Sequence, residues 1–538
     1  MQGASFDPAG RYDVVVCGGG TAGCVVAGRL AADPHLNVLL LEAGGSDDVE
    51  DVRIAKVWMR NIGSERDWRF QSEPCAALNR RRAPLPMGRV LGGGSSINGL
   101  VWARGHKSDF DLWERETGDA GWGYEAAVEI YKRVEDWDGP FSVMRGRGGP
   151  MRITLPRDPV PVTEALLEAT ASLGVPRVED HNAEAMAGDG CCAITNVNVA
   201  GDGSRISTAT AYLAPLSGQP NLTIVTGAHV RRVVIEAGRA TAVEFERNGR
   251  IETVAARHEI VLSLGAIHTP KTLMLSGLGP EAELKRHRLP VLGCLPGVGQ
   301  NFQDHILVGG CVFEYREPEA PRNNSAEFTF FAKSDPSLPA PDLQPMLEEC
   351  AFGSEITGPA YNLPVDPSCA FTLAPGLIRP ESRGHIELTG GRPEDPVRIH
   401  ANFLSAEADV TALLRCIEMC REIGHSEPLR PFVKRELMPG PLDREAMTRF
   451  LRDAAGTYFH ETCTAKMGRD AMSVVDGSLK VYGVENLRIA DGSVMPAIAG
   501  GNTMAPCVLI GERAADMIAR DLAARTSLRE PQLHGAAA

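Results

Sequence analysis

Gly18, Gly20 and Gly23 stand in the spacing G-x-G-x-x-G, and Glu42 follows about 20 residues later. This set of residues can hold the pyrophosphate of a dinucleotide. Gly18 permits a tight turn, Gly20 lets the backbone approach a phosphate, and Gly23 lets a helix pack close to a strand. Thr21 and Ala22 open that helix, whose free N–H groups and positive dipole end attract an anion. Glu42 can accept hydrogen bonds from ribose hydroxyls and disfavours a 2′-phosphate, with Ala43 next to it at the strand end. The elements that must position these groups are legible around them. An apolar strand runs over 12–17, a helix over 21–32 stops before Pro34, and a second strand covers 37–41. FAD and NAD both satisfy this pattern. The plain alternative is a glycine turn in a nucleotide-free α/β unit.

A second chemical stretch is "GRVLGGGSSINGLVWARG", residues 88–105. A flexible linker does not carry so much apolar surface, and a core strand does not carry so much glycine. Gly92 to Ser96 offer consecutive backbone N–H groups to an anion. Val90, Leu91, Ile97, Leu100, Val101 and Trp102 offer an apolar surface to a flat aromatic ring. One loop touching both phosphate and ring fits FAD.

The whole chain sets the bounds. Its 538 residues predict two domains or one elaborate one. Lys plus Arg number 55 and Asp plus Glu 69, a formal net charge of −14, which suits neither nucleic acid nor anionic lipid. The run Arg80, Arg81, Arg82 is read as solvated surface. The start of the chain reads as a short disordered lead rather than a signal peptide, and no apolar window is long enough for a membrane span. The 13 cysteines lack a disulfide or zinc pattern, so reduced, buried thiols in the cytoplasm are expected and no metal site.

Four stretches in chain order carry a resemblance. Residues 88–105, "GAIHTPKTLMLSGLG" at 265–279, "PGVGQNFQDH" at 296–305 and "ADGSVMPAIAGGNTMAPCVLIGERAADMI" at 490–518 resemble the signatures of the glucose–methanol–choline oxidoreductase family. The resemblance implies a bound FAD. It implies cofactor contacts from Arg89, Leu91, Gly93 and Ser95, with Asn98, Gly99, Leu100 and Val101 lining the flavin. Some members attach the flavin through a histidine in this loop. Here that position is Ile97, which excludes a histidyl linkage there. Val230 is expected to meet the adenine through its backbone. Asp491, Asn502 and Met504 are expected at the flavin's pyrimidine end, where a helix N-terminus suits negative charge.

The remaining pattern predicts an α/β fold. An FAD-binding Rossmann-like domain, with a parallel sheet, a βαβ unit and a β-meander, covers 1–155, 205–305 and 455–538. Within it, residues 221–266 read as the meander ending in a buried strand over 260–264. A helix follows, which Thr269 and Pro270 are expected to open, and His268 at its entrance is read as structural. Residues 156–204 and 306–454 read as a second domain, an antiparallel sheet backed by helices, and the family resemblance implies that it is the substrate domain. It includes an amphipathic helix near 406–423.

"TYFHETCTAKMG", residues 457–468, resembles the family's histidine motif and places His460 at the catalytic position. Oxidation of an alcohol needs a base for the hydroxyl proton as well as a hydride acceptor, and imidazole suits neutral pH. The family pairs this histidine with a second polar residue. Counting back from "IGERAAD" puts that residue at Met504, so an incomplete pair is expected. Phe459 and Met504 suggest an apolar substrate pocket, and Glu461 receives no role. The reading is FAD-dependent oxidation of a small alcohol to an aldehyde or ketone, with oxygen or another carrier as acceptor. The alternatives are a non-redox use of the scaffold, as in hydroxynitrile lyases or a decarboxylase, and a flavoprotein without catalysis.

Overall fold

The apolar run at the N-terminus forms β1 (Tyr12–Cys17), buried along its whole length. The computed structural model describes residues 6, 7 and 10–527, so most of the expected lead lies outside the described residues. β1 pairs in parallel with β2 (Val38–Leu41), and β2 with β3 (Leu222–Val225). Uninterrupted Val and Leu suit these strands because a parallel sheet is covered on both faces. β4 (His229–Glu236) and β5 (Arg239–Arg247) form the antiparallel meander and lead into β6 (Arg250–Leu262).

β6 belongs to both parts of the sheet. Its first half pairs antiparallel with β5 and is largely exposed or half-buried. Its last residues are buried, where Ile260–Leu262 lie between β1 and β7 (Leu487–Ile489), both parallel to it. The parallel order is therefore β3-β2-β1-β6-β7, with β7 arriving from the far end of the chain.

Helix α1 (Thr21–Ala31) packs against the long α3 (Met504–Ser527), with α2 (Gly265–Leu275) between them in sequence. α2 differs from expectation: it begins at Gly265, so Pro270 lies inside it rather than at its start. A proline there leaves the carbonyl four residues back without a helical partner. The Thr464 hydroxyl supplies one, donating to the Ala266 carbonyl at 2.6 Å.

A second core lies around a six-stranded antiparallel sheet. Its order is Val433–Met438, Val312–Tyr315, Ala370–Ala374, Met346–Glu348, Phe328–Phe331 and Cys191–Ile194. Helices Val162–Ser172 and Glu407–Gly424 back it. Cys75, Leu78, Ala83 and Leu85 also join this core. Arg81 is not the solvated group expected. Its side chain is largely buried, donating to the Ala455 carbonyl at 2.5 Å and pairing with Glu355 at 3.0 Å.

The 88–105 loop wraps the glycine turn. Gly92 N donates to the Gly19 carbonyl at 2.7 Å, and the Ser96 hydroxyl closes onto the Leu91 carbonyl at 2.7 Å. Its far end is pinned by a buried ion pair between Arg104 and Glu135 at 2.5 Å, both side chains fully excluded from solvent. Trp102 Nε1 and Arg145 donate to the same carboxylate. Buried charges are tolerated in such a satisfied set. Among the described residues, no helix is long and apolar enough to cross a membrane.

Candidate active site

One cavity of about 240 Å³ runs from the β1–α1 turn to the His460 loop. Gly18, Gly20, Thr21, Ala22, Glu42 and Ala43 line one end. Gly93, Ser95, Asn98, Gly99, Leu100 and Val101 line a wall, with Ile97 among them. Val230, Asp491, Asn502 and Met504 close it, together with Phe459 and His460.

Gly23, Arg89 and Leu91 stand behind the wall. A Cβ on Gly23 would strike the Gly18 carbonyl, so this glycine serves helix–strand contact. Arg89 lies over the Trp68 ring at 5.0 Å, and Leu91 bonds through its N–H to Gly45. Glu42 accepts from Gly19 N at 2.8 Å and Gly44 N at 2.7 Å, so it shapes the turn as well as facing the cavity. Burial pushes its carboxyl up to about 7. Asp491 ties α2 to the end of β7, accepting from Gly265 N and the Thr269 hydroxyl.

The glycines test whether a dinucleotide fits. A Cβ on Gly18 would meet the Ser263 carbonyl, and one on Gly93 would meet Gly20 Cα at 2.7 Å. Those glycines are demanded by the protein itself. Gly20 is not: a Cβ there meets no protein atom nearer than 3.9 Å, and Gly94 is similarly open. Both line the cavity, and no side chain caps the first turn of α1. Glycine kept where the protein leaves room fits a ligand that needs the backbone close. The residues present fit the FAD pyrophosphate.

At the other end, His460 is buried and held on both ring nitrogens. Its Nδ1 lies 2.9 Å from His305 Nδ1, and its Nε2 lies 3.3 Å from Asn502 Nδ2. Asn502 Oδ1 accepts from Gln344 Nε2 at 2.9 Å, which turns the amide N–H groups toward His460. His460 Nε2 is then an acceptor, its proton sits on Nδ1, and His305 Nδ1 accepts it. Burial pushes the His460 ring down to about 3, and His305 also lies well below the ordinary imidazole value for the same reason. Both rings are neutral at pH 7.

The main chain around His460 is held by Asp304. Its carboxylate accepts from the Thr457 hydroxyl at 2.6 Å and from His460 N at 3.0 Å. Phe459 between them has φ +67°, a left-handed conformation that a bulky residue adopts only under constraint. Tyr458 stacks on His460 at 5.0 Å between ring centres and donates to the Gln344 carbonyl. Glu461 is buried in the same wall, its carboxyl raised by burial first and then by the Asp304 charge.

The expected gap at Met504 is corrected by this geometry. The polar group beside His460 is Asn502, two residues earlier, in the turn before α3 begins. Met504 instead turns its sulfur to Asn98 Nδ2 at 3.2 Å. His305 was missed, although it ends the "PGVGQNFQDH" stretch. His268 lies in the cavity wall, its ring 4.2 Å from that of Trp68.

The molecule's likeness to known proteins agrees with this architecture. Residues 12–307 and 380–511 match the N- and C-terminal family models for GMC oxidoreductase. The chain belongs to the GMC oxidoreductase family and is accordingly an FAD-dependent oxidoreductase. It is 35% identical to the mitochondrial choline dehydrogenase of Mus musculus over 544 aligned positions, covering 94% of this chain and 89% of that protein. It is 35% identical to the oxygen-dependent choline dehydrogenase of Vibrio vulnificus, covering 94% of each. Among solved structures it is similar to pyridoxine 4-oxidase from Mesorbium loti, with TM-score 0.90 and 32% identity over 95% of this chain and 99% of that one.

Proposed function

We propose that this protein oxidises an alcohol CH–OH group to a carbonyl. When bound, FAD supplies the hydride acceptor. His460 Nε2, neutral and facing the cavity, takes the hydroxyl proton. Asn502 Nδ2 donates to the same oxygen and stabilises the negative charge that develops there. Both groups line the cavity within 3.3 Å of each other, so an oxygen lying beside them on the cavity side can meet both. Asp304 fixes the loop and His305 fixes the tautomer. The single observation that carries this reading is the convergence of His460 and Asn502 on the cavity that the glycine turn also lines.

The electron acceptor in our reading is oxygen or another carrier. Ile97 offers no ring nitrogen, so we assign no histidyl bond to the flavin there. The cysteines of the described residues carry no disulfide, which supports our assignment to the cytoplasm. Asn502 beside His460 supports alcohol oxidation over the non-redox alternative, which rested on an altered site at Met504.

Anaerobic mixing with an alcohol panel tests the proposal. Its flavin absorbance bleaches with at least one alcohol; product formed without bleaching overturns the reading. Asn502→Ala keeps its FAD and is bleached about 10²-fold more slowly, the usual loss for one preorganised donor. Stopped-flow absorbance measures it, and an unchanged rate removes Asn502 from the chemistry.

A further inference from the structure

The hairpin of strands His385–Leu388 and Val397–His400 carries three side chains of metal-ligand type that the proposed chemistry does not use. The strands are antiparallel, and His385 stands directly opposite His400. Glu387 lies two residues along from His385, so strand alternation puts it on the same face. The other face is apolar. Ile386 and Ile399 enter the second core and Leu388 enters the first. Backbone bonds hold the hairpin's open end, with Ile386 N donating to the Gly299 carbonyl at 2.7 Å and Gly384 N to the Phe302 carbonyl at 2.8 Å.

The spacing of the three groups is not that of hydrogen bonds. His385 Nε2 lies 3.5 Å from Glu387 Oε1, and His400 Nε2 lies 3.7 Å from Glu387 Oε2. Both exceed the roughly 3.2 Å reach of an ordinary N–H···O bond. Two donors on one tetrahedral zinc, each about 2.0–2.1 Å from it, stand about 3.4 Å apart. One ligand atom from each of the three residues lies within 4.8 Å of the other two. The rings stack 4.4 Å apart and 11° from parallel, with both Nε2 atoms toward the one carboxylate. Any aromatic pair would serve stacking, but only imidazoles bring nitrogen lone pairs there. His400 Nε2 is shielded from solvent and has no hydrogen-bond partner, which is costly for a polar atom. Arg398 stands opposite Glu387, yet among the described residues no lysine or arginine pairs with that carboxylate.

We propose that His385, Glu387 and His400 form a binding site for a divalent cation of the zinc class, with water in the fourth position. Two imidazoles and a carboxylate are a donor set such ions take, whereas magnesium and calcium prefer oxygen alone. A tilt of each ring toward the carboxylate brings the three donors onto one ion. The ion then clips the open end of the hairpin on the side away from both cores. None of the three residues lines the His460 cavity, so the site stands apart from the alcohol chemistry. The cysteines offer no such set, and these histidines supply it in their place.

Calorimetric titration of chelator-treated holoenzyme with zinc chloride tests the proposal. It is done in a Cys294→Ser background, which removes an exposed thiol that would compete for zinc. The expected result is one tight site per chain. His400→Phe keeps a stacked ring and loses the nitrogen, and Glu387→Gln keeps the shape and loses the charge. Each weakens zinc binding by about 100-fold, at least what the loss of a group that merely orients a ligand costs. Flavin content and Tm establish that the variants are folded, and His385→Gln replaces either one that is not. Absence of a tight site in the Cys294→Ser protein overturns the proposal. So does undiminished affinity in either ligand variant, or displacement of zinc by equimolar magnesium chloride.

Discussion

Replacement of His460 by alanine leaves FAD bound and slows anaerobic flavin reduction by alcohol about 10³-fold, the usual contribution of a positioned general base. The substitution removes the acceptor at Nε2 but not the glycine turn at the other end of the cavity, so flavin content is unchanged. Asn502 remains and still donates, but no group is left to take the proton. The residual rate rises with pH, because hydroxide must now do the work. The wild-type rate behaves differently. His460 has its ring pushed below the ordinary value of 6.5 by burial, to about 3. A base with a depressed pKa stays unprotonated as pH falls through 6.5, so His460 causes no acid loss in that range. A His460→Ala enzyme reduced at the wild-type rate would remove the imidazole from the mechanism.

Gly20→Val yields folded protein without flavin. Backbone angles at Gly20 (φ −79°, ψ −166°) are open to valine, and its added Cβ meets no protein atom nearer than 3.9 Å. What the side chain fills is the cavity, where the backbone must approach the pyrophosphate. Absorbance of the purified variant shows no flavin, and added FAD does not restore it, while the far-UV CD spectrum matches that of wild-type apoprotein. Gly18→Val contrasts with it. At φ +100° and against the Ser263 carbonyl, that change strains the protein itself and lowers Tm. A yellow Gly20→Val protein would move the cofactor away from this turn.

The legible parts of the molecule were those written in neighbouring residues. The β1–α1–β2 unit is contiguous, its strands are unbroken apolar runs, and its helix boundaries fell within one residue of expectation. α2 was placed with the wrong start, because Pro270 looks like an opening residue until Thr464, far along the chain, satisfies the freed carbonyl. The catalytic cluster could not be read from spacing at all. His305 and His460 are 155 residues apart and Asn502 a further 42, and the first two are brought together by the strand Ile306–Val308 pairing with Ala455–Thr457 and by the bridge between Gln303 and Thr462. Counting back along the α3 motif selected Met504, the first residue of α3. Both Asn502 and Met504 line the cavity, but Met504 turns its sulfur to Asn98 while the Asn502 amide reaches His460, a difference that packing sets and spacing does not carry.

The placement of β7 and α3 has a consequence for how the protein is made. The Rossmann-like sheet starts with residues near the N-terminus but receives its fifth parallel strand from Leu487–Ile489, and α1 packs on a helix that begins at Met504. A nascent chain lacks both until residues 487–527 have been made. The nucleotide-binding sheet is therefore whole only after this late segment joins the strands laid down by the early one. A chain cut before Leu487 lacks both the fifth parallel strand and the helix on which α1 packs, so the early glycine turn depends on the far end of the fold for its support.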